Sequence, residues 1–145
     1  MPLNITLAPE YGYCVAAFFA TILCNFFKVV TVVKARKQYD VQYPNLYAPA
    51  DHKNKKEFDC AQRQHQQFLE NVFLVTACMF INGLYFPKLA AAFQMLFVIG
   101  HVVYTIGYNT GNPKNRMAGG LISHLGDMPA MILTVYVAYL MIKGV

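Results

Sequence analysis

A row of polar side chains interrupts an otherwise apolar stretch of the chain. Arg63, Gln67 and Glu70 stand at positions i, i+4 and i+7, which places them on one face of a helix, and Gln66 lies beside them. A guanidinium can hold a carboxylate by two parallel hydrogen bonds, and a carboxylate can hold an ammonium group. The spacing fits a binding site for a small zwitterion. A polar network between helices explains the same spacing equally well.

A second candidate group lies later in the chain. Tyr104 and Tyr108 are four residues apart, His101 precedes them by one turn, and Arg116 follows after a short turn. The tyrosines fit an aromatic belt at a membrane interface as well as a pocket. Two interpretations of Arg116 are open: it lies near that pocket, or it anchors the helix at the lipid headgroups. The four histidines are scattered and no pair has the spacing of metal ligands, so we expect no metal site.

Two further charges, Lys28 and Asp127, lie within apolar segments, where polar groups are costly. Counted along helices from Arg36 and Arg116, they lie at similar depths of about 12 and about 16 Å. An ion pair between them is one interpretation, and snorkelling of Lys28 toward the interface is another. His124 could relay protons with Asp127, although pairing within a helical bundle is the simpler explanation.

The elements that position these residues are predicted to be membrane helices. The chain of 145 residues is 57% hydrophobic and 13% charged, whereas soluble domains carry about 25% charged residues. This composition argues against a soluble protein and against a disordered one. The net charge of +5 accompanies long apolar runs. We therefore expect a lipid bilayer, and no nucleic acid, as the partner.

Four segments predict spanning helices, at about residues 13–33, 58–82, 89–108 and 117–142. The predicted fold is an all-α integral membrane protein, with one four-helix transmembrane domain over residues 1–145. Gly119, Gly120, Gly126 and Pro129 are expected to loosen the fourth span. Most Lys and Arg residues follow the first and third spans, which predicts that these connections face the cytosol. The glycosylation sequon at residues 4–6 lies close to the membrane, so we expect it to remain unused.

Three segments of the chain resemble a known family. Residues 34–48 (KARKQYDVQYPNLYA), 58–70 (FDCAQRQHQQFLE) and 100–116 (GHVVYTIGYNTGNPKNR) are similar to the microsomal glutathione S-transferases. Those enzymes belong to the membrane-associated proteins in eicosanoid and glutathione metabolism. The resemblance is to the type 3 branch, with leukotriene C4 synthase and the lipoxygenase-activating protein as relatives. It covers about residues 34–116, and the four-span plan extends it over the whole chain.

The resemblance implies a homotrimer that binds glutathione, its co-substrate, between neighbouring subunits near the cytosolic face. Arg116 would face the sulfur atom and favour the thiolate, and Lys37 would lie near the acceptor, so these two are the implied catalytic residues. The implied glutathione-binding residues, carried over by position, are Arg36, Arg63, His65, Gln67, Glu70, Tyr104 and Tyr108.

This chain departs from those relatives at three places. Relatives usually have Asn where this chain has Gln67. They often have Arg where this chain has His101, so this chain lacks a permanent positive charge at that position. The turn before Arg116 is longer than in the leukotriene-forming enzyme. Lys114 or Asn115 could therefore be the aligned residue.

The implied function is a glutathione transferase that conjugates hydrophobic electrophiles and reduces lipid hydroperoxides. A free thiol has a pKa near 8.5 and only the thiolate attacks, so nearby cations would favour the reaction. Glutathione would enter from the cytosol through the basic loops, and the apolar acceptor would enter from the bilayer. The implied location is the endoplasmic reticulum, with the outer mitochondrial membrane as an alternative. Two other interpretations stay open: a non-catalytic lipid- or fatty-acid-binding adaptor like the lipoxygenase-activating relative, and a small transporter or structural bundle.

Overall fold

A computed structural model describes residues 6–144, so Asn4 and Ile5 of the sequon lie outside the described residues. The chain forms four long helices: α1 (Gly12–Tyr39), α2 (Lys55–Gly83), α3 (Pro87–Tyr108) and α4 (Met117–Lys143). Short 3-10 helices, Pro9–Tyr11 and Pro113–Arg116, precede α1 and α4. Each predicted span lies within one of the long helices. The predicted all-α fold is confirmed.

The four helices differ in how well they suit a bilayer. Within residues 6–144, three helical stretches are long and apolar enough to cross a membrane: Pro9–Tyr39, Pro87–Tyr108 and Pro113–Lys143. The stretch that contains α2 is not among them. Its length is sufficient, but its first half is rich in charged and amide side chains. The helix that carries the candidate site, α2, is therefore the one that is least able to be surrounded by lipid on all sides.

Helices α1, α2 and α4 are longer than a bilayer requires, and α1 and α2 are the longest. The 28 residues of α1 and the 29 of α2 each reach about 42 Å, whereas the hydrocarbon core is about 30 Å thick. The basic end of α1 and the basic start of α2 can therefore extend past the hydrocarbon. α1 ends at Asp40, which adopts a left-handed conformation (φ 53°) and donates its backbone N–H to the carbonyl of Arg36.

Small residues bring α3 and α4 into backbone contact. A Cβ atom at Gly119 would overlap the backbone of Tyr104, and one at Gly100 would overlap the backbone of Ser123. α4 continues as one helix through Pro129. The prediction that the glycines loosen the fourth span is therefore wrong. They let α3 approach α4 closely. This contact fixes the position of Tyr104.

The two intramembrane charges do not meet. Lys28 is fully buried, and its ammonium contacts Gln64 and Thr105. Asp127 lies instead 3.0 Å from the Nδ1 atom of His124. The predicted Lys28–Asp127 pair is wrong because α1 packs against α2 and α3, whereas α4 packs against α3 and α2. Lys28 does not snorkel either, since none of it is exposed.

Candidate functional site

The polar face of α2 carries an ion pair that points out of the bundle. Arg63 donates from Nη1 to Oε1 of Glu70 at 2.6 Å and from Nη2 to Oε2 at 3.1 Å. The two side chains are 37% and 46% exposed. Gln67 lies between them in sequence, and its Oε1 atom is buried without a hydrogen-bond partner among the described residues. The three residues share one face, as their spacing predicts, and this face is open to a ligand or another chain.

The second candidate group is brought together by hydrogen bonds. Arg116 donates from Nη1 to the hydroxyl oxygen of Tyr108 at 2.7 Å and to that of Tyr104 at 3.5 Å. The two tyrosine rings meet edge to face, with centroids 5.0 Å apart. The short helix Pro113–Arg116, capped by the side chain of Asn112, delivers the guanidinium to this position. Arg116, rather than Lys114, is the basic residue of this turn that reaches the tyrosines.

A surface pocket joins the two groups. It has a volume of about 410 Å³ and opens between the start of α2 and the turn that follows α3. The ammonium of Lys55 forms an ion pair at 2.9 Å with Asp59, the single carboxylate in the lining. Of the other two cations in the lining, Arg63 pairs with Glu70 outside the pocket, whereas Lys56 forms no salt bridge within residues 6–144. The lining therefore carries more positive than negative charge, which suits an anionic group. Its lining residues are Lys55, Lys56, Asp59, Cys60, Arg63, Tyr108 and Pro113.

His65 lies on the opposite side of α2. Two residues correspond to about 200° around a helix, so His65 faces away from Arg63. Its Nε2 atom lies 3.2 Å from the Oδ1 atom of Asn25 on α1. Within one protomer the structure therefore does not bring His65 and Arg63 into one site.

Arg36 and Lys37 lie at the end of α1. Arg36 donates to the backbone carbonyls of Asn45 and Val41, at 2.9 and 3.4 Å. Its guanidinium also stacks on Tyr43, 4.4 Å from the ring centroid. Arg36 thus holds the loop that connects α1 to α2. Lys37 is exposed in the last turn of α1.

An apolar groove runs between α1 and α2 on the outer surface. It encloses about 570 Å³, and Asn25, the partner of His65, supplies a polar group within it. Such a groove suits an apolar molecule or a lipid chain. Most of its wall is formed by Phe18, Ile22, Phe68, Leu69, Phe73 and Phe80.

Comparison with protein-family models decides the family. The model of the MAPEG family matches residues 14–141. The chain belongs to the MAPEG family. The predicted family, the membrane-associated proteins in eicosanoid and glutathione metabolism (MAPEG), is confirmed. The match extends beyond residues 34–116, the part of the chain that carries the resemblance. Together with the apolar helices, it identifies an integral membrane protein. The MAPEG family contains glutathione transferase- and peroxidase-type enzymes as well as non-catalytic members.

Sequence reasoning missed three residues around the candidate site of this MAPEG protein. Cys60 packs against Tyr104 and Tyr108, and Lys56 lines the same pocket. Cys60 lies one turn before Arg63, so extending the polar face by a turn would have found it. The hydroxyl of Tyr47 donates to the Oε1 atom of Gln66. No sequence signal indicates that contact, because the path of the intervening loop sets it.

Proposed function

We propose that this MAPEG protein is a membrane-bound glutathione transferase similar to the microsomal type 3 branch. It would bind glutathione, favour its thiolate, and conjugate it to hydrophobic electrophiles. The observation that carries the proposal is the guanidinium of Arg116, held by two tyrosine hydroxyls beside a basic pocket. A fixed cation close to the sulfur atom stabilises the thiolate form.

The Arg63–Glu70 pair can exchange partners with the ligand. The γ-glutamyl end of glutathione carries one ammonium and one carboxylate, so Arg63 can take the carboxylate while Glu70 takes the ammonium. Each protein charge keeps an opposite charge throughout, which avoids leaving either one unpaired. The hydroxyls of Tyr104 and Tyr108 would supply further hydrogen bonds. Gln67 would reach the ligand only by turning its side chain outward, because its Oε1 atom, which lacks a hydrogen-bond partner among residues 6–144, is buried within the protomer.

The remaining proposed ligands belong to a neighbouring copy. His65 and Arg63 face opposite directions on α2, so a site that uses both requires two chains. We therefore propose a homotrimer with glutathione at each subunit interface, where Arg36 and His65 of one copy meet Arg63 of the next. A trimer also covers the polar face of α2. This cover would let α2 serve as the fourth transmembrane span of a single domain over residues 1–145.

The chemistry follows from the thiolate. Arg116 remains protonated at neutral pH, so it acts by electrostatic stabilisation and not as a base. In conjugation the thiolate sulfur forms a bond to the electrophilic carbon, and any leaving group departs with its electron pair. In peroxide reduction the thiolate attacks the terminal oxygen and the O–O bond breaks, which yields glutathione sulfenic acid and an alkoxide that takes a proton from water to become the alcohol. The thiol of a second glutathione then attacks the sulfenic sulfur, which gives the disulfide and water. Lys37, at the rim, would lie beside the acceptor.

The apolar groove between α1 and α2 gives the acceptor a route from the bilayer, whether a hydrophobic electrophile or a lipid hydroperoxide. The basic loops are proposed to face the cytosol, from which glutathione enters. The membrane is proposed to be that of the endoplasmic reticulum, with the outer mitochondrial membrane as the alternative. Glutathione is the proposed co-substrate, and no metal takes part in the proposed steps.

Thiolate absorbance near 240 nm tests the proposal. Detergent-purified protein is mixed with glutathione across a pH series in a stopped-flow instrument. We expect a saturable thiolate signal at neutral pH, lost in Arg116→Ala and retained in Lys114→Ala, the control from the same turn. A folded sample that binds no glutathione would refute the proposal and favour a lipid-binding adaptor.

A further inference from the structure

Lys28 carries a buried positive charge that takes no part in the catalytic steps proposed above. It lies in the middle of α1 and is fully buried, yet no salt bridge of residues 6–144 includes it. A neighbouring copy cannot supply a carboxylate to Lys28, because side chains of the same protomer enclose it completely. Burying a charge without a counter-ion destabilises the folded protein, so we expect another interaction to compensate for the charge of Lys28.

The surroundings of the ammonium fit its charged form. An ammonium has three N–H donors. The Nζ atom of Lys28 has three acceptors: the backbone carbonyl of Gln64 at 3.2 Å, the Oε1 atom of Gln64 at 3.2 Å, and the Oγ1 atom of Thr105 at 2.7 Å. All three are neutral. They orient the ammonium but leave its charge uncompensated.

The same ammonium lies beside the ring of Tyr104, a member of the proposed thiolate site. Its Nζ atom is 5.8 Å from the centroid of the Tyr104 ring and 5.2 Å from that of Phe68. The hydroxyl of Tyr104 is the group that Arg116 approaches at 3.5 Å. Lys28 and Arg116 therefore bracket one tyrosine, one from inside the bundle and the other from its surface.

The other titratable groups around Lys28 do not cancel its field. They are Cys24 on α1, His65 on α2 and His101 on α3. None is a carboxylate. The nitrogen atoms of His101 have no hydrogen-bond partner among the described residues, and its ring packs edge-on against Phe68 and Phe97.

We propose that Lys28 is a positioning residue of the thiolate site: its buried ammonium fixes the Tyr104 ring and adds a second positive charge beneath the sulfur of bound glutathione. The inference rests on the proposed glutathione site and deepens it. The bound thiolate would act on the enclosed ammonium through space, across the Tyr104 ring, and not as a contact ion pair. At an effective dielectric constant of about 20, a positive charge about 10 Å from a thiol changes its thiolate fraction about tenfold.

The test is the apparent pKa of the bound glutathione thiol, measured from absorbance near 240 nm against pH. We expect Lys28→Met to raise this pKa by about one unit, which lowers the thiolate fraction about tenfold at neutral pH. Lys28→Arg, which keeps the charge, should recover most of the shift. Glutathione affinity at high pH should change much less than the pKa. An unchanged pKa in Lys28→Met would overturn the inference.

Two further variants keep the test decisive. If Lys28→Met does not fold, the triple variant Lys28→Met, Gln64→Leu, Thr105→Val replaces the whole polar cluster by apolar groups of similar size, which is better tolerated than removing one partner. Gln94→Leu is the matched control. It disrupts a neutral buried cluster, in which Gln94 donates to Thr21 and Thr76, and should leave the thiol pKa unchanged. An absent thiolate signal in the unaltered protein would refute the proposed function itself, whereas an equal pKa in all variants would refute only the role of Lys28.

Discussion

Arg63 and Gln64 are neighbours on α2, yet they belong to two different polar regions. Gln64 is fully buried and bonds to Lys28, Thr31 and Thr105, so every group in this interior cluster finds a partner inside the protomer. Arg63 and Glu70 pair at the outer surface and remain partly exposed. A polar surface that faces a bilayer needs a cover from outside the chain. The interior cluster is therefore held by contacts within one chain, whereas the outer face is where the proposed ligand and a neighbouring copy would meet the protein.

The largest expected effect separates two glutamines that are three residues apart. Gln64→Leu leaves the Lys28 ammonium short of an acceptor, and should lower the free energy of unfolding by about 2–3 kcal/mol. Gln67→Leu removes a side chain whose Oε1 atom has no partner, and should cost much less. Unfolding in detergent, followed by circular dichroism, measures both. Equal losses would remove the distinction between the two regions.

The outer pair should show the opposite behaviour. Arg63→Ala and Glu70→Ala each remove a charged hydrogen bond to glutathione, so its affinity should fall at least tenfold. Because the pair is exposed, the free energy of unfolding should change by less than about 1 kcal/mol. Calorimetric titration and thermal unfolding provide the two numbers. Lys53→Ala, in the loop before α2, is the control for a general loss of positive charge. Normal affinity in both variants would contradict the assignment.

A comparison within the α3–α4 contact concerns two adjacent glycines of α4. Gly119→Ala forces α4 away from the backbone of Tyr104, and should cost about 1–2 kcal/mol. A Cβ atom at Gly120 meets only the Tyr104 ring, at 3.9 Å, which is an ordinary contact. Gly120→Ala should leave unfolding unchanged. Comparable losses in both variants would show that the α3–α4 contact does not position Tyr104.

Much of this architecture was predictable from local sequence. Four long apolar segments predict four helices, and the period of α2 places Arg63 and Glu70 on one face. The partners of Lys28 were not predictable, because depth along a helix does not say which helices touch. The direction of His65 was predictable, because two residues turn a helix by about 200° and place it opposite Arg63, but its contact with Asn25 on α1 was not. Helix propensity predicts that Gly119 weakens α4, because propensity does not take account of the Tyr104 backbone that packs against this glycine.

The central claim is that glutathione binds between two copies of the chain, with Arg63 from one and His65 from the other. Arg63→Ala and His65→Ala chains, each carrying a different affinity tag, are co-expressed and purified through both tags. Each variant alone should bind glutathione weakly. We predict that mixed assemblies regain tight sites, because an intact Arg63 can meet an intact His65 across an interface. Mixed assemblies that bind no better than either variant alone would contradict the claim.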